Sequence, residues 1–175
     1  MAKLRKMLGR ADDPEIVALM RLIETQNRRT LARFAADYAR ENWLPVYEAY
    51  CPQDDRVREA IAAAAAWADG TLKAATAKEK TKAAVCAAKD AQEHPAAQAA
   101  ARAAATAAGV MGTPTNALGM CFYGAAAVAY HMLGVSASAE DYDQAAAREF
   151  ERIHEALSRA AVSDEPDPAK INWNC

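Results

Sequence analysis

Alanine makes up roughly a quarter of this 175-residue chain, and it is gathered into consecutive stretches between Thr71 and Leu133. Alanine is the strongest helix former, yet each buried methyl removes little apolar area from water. Such a chain can gain enough contact only by packing many helices at short range. No run of Val, Ile, Thr and aromatic residues alternates long enough to read as a strand. The expected fold is therefore all-α, a compact bundle of about six to eight helices with alanine-rich, close-packed central helices. A mass of 18.8 kDa suits one helical domain over residues 1–175 that needs neither disulfides nor metal. Residues 1–12 and 162–175 read as tails, flexible or docked.

Helical spacing marks the elements. Asp13-Pro14-Glu15 opens a first helix whose apolar face is Ile16, Leu19, Met20 and Ile23. The second, near Arg28 to Asn42, carries Leu31, Phe34, Ala35 and Tyr38, and Arg33 and Asp37 pair on its outside. Pro45 kinks or ends it, with a short continuation through Tyr47 and Tyr50. Asp54 or Asp55 caps a helix faced by Val57, Ala60, Ile61 and Ala64, which Asp69-Gly70 closes. Thr71 to Glu93 is a lysine-rich helix, and His94-Pro95 starts the next. Its polar residues Gln98, Arg102 and Thr106 form one stripe, expected to face water. Asn116 to Leu133, with no formal charge, is the expected buried central helix, with Phe122, Tyr123, Tyr130 and Met132 filling gaps around Gly119 and Gly124. Ser138 caps a last helix with a stripe of Tyr142, Ala146, Phe150, Ile153 and Leu157. In the acidic tail, Ile171 and Trp173 are apolar enough to dock back.

A net charge of −2 and interleaved signs give no electrostatic case for nucleic acid or an anionic membrane. The apolar Asn116–Leu133 stretch is long enough to weigh as a membrane span, but its Ala and Gly content favours protein burial. Basic residues near the N-terminus are followed by Asp12 and Asp13 rather than an apolar stretch, so the expected location is cytoplasmic. Cys51, Cys86, Cys121 and Cys175 lie far apart and match no zinc spacing, and they read as buried or incidental thiols.

The search for reactive chemistry returns little. His94, His131 and His154 each stand alone, and only Glu151 could join His154, as a surface ion pair. No phosphate loop, nucleophile elbow or dinucleotide fingerprint occurs. No cofactor and no metal is expected. The densest polar cluster is Gln53-Asp54-Asp55-Arg56-Val57-Arg58-Glu59, which could cap a helix, pair internally or present charge to a partner.

Around that cluster the chain becomes familiar. Leu44-Pro45-Val46-Tyr47-Glu48, then Pro52 to Ile61, then Ala66-Trp67-Ala68-Asp69-Gly70, and alanine-rich helices ending in Gly124 to Ala127 together resemble the Imm-5-like family of immunity proteins of bacterial polymorphic toxin systems. The resemblance spans Asn27 to Leu133, with Asp54, Asp55, Arg56 and Trp67 at motif positions. It departs between Thr115 and Cys121, where family members tend to carry histidines and this chain has none. The resemblance implies an all-helical, non-enzymatic protein that neutralises a cognate toxin by binding it. Asp54, Asp55, Arg56 and Arg58 are the expected partner-binding residues. Two rival readings stand beside it. One is a small-molecule-binding or enzymatic bundle using Asp54, Asp55 and His131. The other is a self-associating helical adaptor, and a homodimer through the alanine stripes is open under either reading.

Overall fold

Ten of the fourteen residues of one helix are buried alanines, and that helix is the axis of the structure. The computed structural model describes residues 4–174. Among them are eight α-helices and no strand: α1 (Pro14–Ile23), α2 (Arg28–Tyr38), α3 (Leu44–Tyr50), α4 (Arg56–Ala68), α5 (Ala74–Asp90), α6 (Pro95–Ala108), α7 (Asn116–Leu133) and α8 (Ala139–Ala160). Helix α6 touches α2, α3, α4, α5 and α7, while α8 packs outside α7 and against α1. The all-α bundle expected from the alanine content is what forms.

The most buried helix is α6 and not α7 alone. Methyls on all but one side let five neighbours approach, whereas a hydropathy reading favours the longer side chains of α7. Gln98, Arg102 and Thr106 are correspondingly half-buried and line a cleft against α5 and α7, where a water-facing stripe was expected. Helix α7 keeps its expected bounds and buries Ala117, Leu118, Met120, Cys121 and the small residues from Gly124 to Ala127. No helix among the described residues is long and apolar enough to cross a membrane.

Pro45 does not end its helix. It has no N–H to offer, and its ring would press on the carbonyl four residues back. The chain answers with a π-turn over Ala39–Trp43, in which the Leu44 amide reaches the Ala39 carbonyl, and α3 continues from there. The wider turn seats Trp43 against α7. A Cβ on Gly124 would lie 2.2 Å from Trp43 Cζ2, so only glycine leaves room for the indole.

The exit from α4 is a Schellman motif: Gly70, at φ +78°, and Thr71 donate to Trp67 and Ala66 carbonyls. That turn consumes the residues expected to begin α5, which starts at Ala74. Helix α8 buries the whole expected stripe and is closed by a capping box between Ser138 and Asp141. It also buries Glu149, whose Oε1 accepts from Tyr38 Oη (3.0 Å) and Trp43 Nε1 (3.1 Å), while Oε2 accepts from Arg152 Nη1 (3.0 Å). Burial raises its pKa, against the pull of Arg152 and the two donors.

Both flanking segments lie on the bundle. The Leu8 side chain is fully buried, its amide donates to the Phe122 carbonyl (3.1 Å), and Tyr130 Oη donates to the Arg5 carbonyl (2.6 Å). After α8, the buried Gln26 exchanges hydrogen bonds with the Val162 main chain, and Glu165 accepts from the Asn27 amide (2.7 Å). Ile171 and Trp173 pack on the core as expected, Trp173 donating to Glu24.

Candidate functional site

The sequence cluster at residues 53–59 sits where several helix ends meet. The C-terminus of α3, the turn into α4, the end of α5, the turn into α6 and the end of α7 share this end of the bundle. Asp54 is its joint. Its carboxylate accepts from Tyr47 Oη (2.7 Å), from the Arg56 amide (3.1 Å) and from Arg56 Nε and Nη2 (2.9 and 2.6 Å). Arg56 extends the lashing through Nη1 to Asp90 at the end of α5 (2.8 Å). The arginine's hydrogen bonds, with help from Tyr47, hold the Asp54 carboxyl down at about 2 despite its partial burial. Burial and the Asp54 charge push the Tyr47 hydroxyl up.

The four expected residues therefore divide. Asp54 and Arg56 are turned into the structure and spent on each other and on α3 and α5. Asp55 and Arg58 remain on the surface, with side chains 72% and 58% exposed, and Arg58 also holds Glu48 at 2.5 Å. Asp55 is the residue before α4 but makes no side-chain cap; Asp54 receives the free Arg56 amide in its place.

Beside this polar joint lies a feature the sequence reading missed. Tyr50 is held between two imidazoles, its ring 5.4 Å from His94 and 5.9 Å from His131, with its hydroxyl 3.3 Å from His131 Nδ1. Met132 and Leu133, on the same last turn of α7, are 68% and 41% exposed, so Met132 does not fill an internal gap as expected. That His94 and His131 meet at Tyr50 required the topology.

A family model described as Imm-5 like putative immunity protein matches residues 21–156. The chain belongs to that family. The matched span runs from α1 into α8, well beyond the Asn27-to-Leu133 resemblance, and takes in the whole Tyr50 end of the bundle. No curated protein and no solved structure matches this immunity-family chain.

Other arrangements are less suited to chemistry. No group of three or more His, Cys, Asp and Glu side chains is placed to hold a metal among the described residues. Cys121 is buried, and burial pushes its thiol up; Cys51 is half-buried and Cys86 exposed, while Cys175 lies outside the described residues. His154 faces Glu15 of α1 at 3.4 Å rather than pairing with Glu151. The clefts along α2, α5 and α8 take in none of Asp54, Asp55 and His131, the groups that an enzymatic reading would have joined.

Proposed function

We propose that this member of the immunity family neutralises a cognate bacterial toxin in the cytoplasm by direct, non-catalytic binding through the Tyr50 end of the bundle. The observation that carries the reading is the exposure of Tyr50, Met132 and Leu133 at one end of the bundle, beside an ion-paired joint. Tyrosine, methionine and arginine are the side chains enriched where protein interfaces are tightest. Tyr50 is already positioned by His94 and His131, so docking it costs little rotamer entropy. Asp54 and Arg56 serve as the frame, and Asp55 and Arg58 supply the charged rim that steers encounter and sets register.

The test is calorimetric titration of the full chain with the toxin domain encoded beside its gene. Tyr50→Ala is expected to weaken binding by about 30-fold or more, as hot-spot truncations do, with circular dichroism unchanged. Arg58→Ala is expected to act chiefly on the association rate and its salt dependence. Absence of binding by the wild-type chain, or Tyr50→Ala and Met132→Ala binding as tightly as wild type, overturns the proposal.

A further inference from the structure

Among the described residues three arginines are half-buried, and they fare differently. Arg33 is shared between Asp37 and Asp69, at 2.9 and 2.6 Å. Arg56 is shared between Asp54 and Asp90, at 2.6 and 2.8 Å. Arg102, in the middle of alanine-walled α6, has no ion pair or hydrogen bond to its guanidinium. A half-buried guanidinium with no internal counter-charge keeps its hydrogen-bond donors free for an anion from outside.

Arg102 opens on a cleft of about 620 Å³ between α5, α6 and the first half of α7, within the size range of small-ligand sites. No carboxylate lines it, although the chain as a whole carries more acidic than basic side chains. Lys89 adds a second cation. Gln92, Asn116 and Tyr123 bring two amides and a hydroxyl with no hydrogen-bond partner among the described residues. Asn116 is seated against Gly109, where a Cβ would lie 2.7 Å from its Nδ2. Val85, 45% exposed although apolar, forms part of the wall with the Tyr123 ring.

We infer that this cleft is a binding site for a small organic anion, its phosphate or carboxylate held by Arg102 and Lys89 and its body lying along Val85 and Tyr123. Arginine's planar fork matches either group in two-point fashion, and Lys89 adds a point charge. The cleft draws on α5, α6 and α7 as the Tyr50 end does, but it lies further along them and shares no lining residue with that end.

The experiment is calorimetry and thermal shift of the full chain with three probes: AMP, citrate and inorganic phosphate. Saturable millimolar or tighter binding of AMP, weakened tenfold or more by Arg102→Gln on the scale of a lost charge-assisted pair, supports a phosphate-bearing ligand. The same pattern with citrate in place of AMP supports a carboxylate. Lys89→Gln, on the exposed end of α5, is expected to give a smaller loss. Arg102→Gln is expected to leave the melting temperature without ligand nearly unchanged, because its guanidinium makes no ion pair or hydrogen bond in the fold. No saturable binding of AMP or citrate, binding of inorganic phosphate alone that ignores Arg102→Gln, or a large drop in unliganded stability for that variant overturns the inference.

Discussion

Helices α6 and α8 reach the core by opposite routes. Helix α6 is buried on nearly all sides because its side chains are small enough for five neighbours to close on it. Helix α8 is buried along one stripe, with large side chains inward and Arg148, Glu151, Arg152 and Glu155 outward. The alanine half therefore depends on how closely backbones approach, and the α8 half on how much apolar area each side chain covers. The two should fail in opposite ways when residues change size. Phe150→Ala removes a ring that is 2% exposed and packed on Phe122, and it is expected to cost roughly 4 kcal/mol in a urea melt. Ala104→Leu, adding bulk at a fully buried position of α6, is expected to cost roughly 3 kcal/mol by overpacking. The contrast fails if Ala104→Leu stabilises, since that would mean α6 is loosely held.

The same contrast explains what could be read from residues alone. Helix α8 was legible in its cap and in its apolar stripe, because a patterned helix writes its orientation into its spacing. Helix α6 was legible as a helix but not as the centre, since Gln98, Arg102 and Thr106 mark its more open side while the alanines elsewhere do not say how many neighbours close on them. Glu149 was visible in principle: it falls seven residues after Tyr142, on the buried stripe, where a carboxylate must find donors. Those donors come from Tyr38 and from Trp43, which only the π-turn ahead of Pro45 places there. The site divides likewise. The 53–59 cluster announced itself by charge, whereas the meeting of Tyr50, His94 and His131 depends on three segments far apart in sequence.

Because alanine burial contributes little per residue, the α6 half needs fastening at its ends, and Asp54 with Arg56 does this for α3, α4 and α5. The Asp54 carboxyl titrates near 2 when folded, below the ordinary value of 3.8. A depressed folded pKa adds stability that is present above the ordinary value and is lost as pH falls from about 4 towards about 2. Asp54→Asn is thus expected to lower stability at neutral pH by about 2 kcal/mol, the gap from wild type narrowing across that acid window. Urea melts at several pH values decide it. Curves that stay parallel down to the acid end would remove Asp54 from the fastening and leave packing alone to hold the alanine half.

The smallest effects separate the two helices at their first turns. Ser138 accepts from the Asp141 amide and Asp141 answers to the Ser138 amide, so Ser138→Ala is expected to cost α8 about 1 kcal/mol. At the start of α6 the residue in the same position is His94, which makes no side-chain cap, and Pro95 in the first turn removes only its own unpaired amide. His94→Ala should then shift stability by less than about 0.5 kcal/mol, as exposed positions without a packing role do. Its imidazole instead lies beside Tyr50, the two rings tilted by 32°. If Tyr50 is the anchor for the toxin, His94→Ala should weaken toxin binding several-fold while the melting curve stays put, because a freed Tyr50 must be ordered again on docking. A variant that melts early would make His94 part of the fold's own fastening. One that binds as tightly as wild type would mean that Tyr50 does not need its flanking ring.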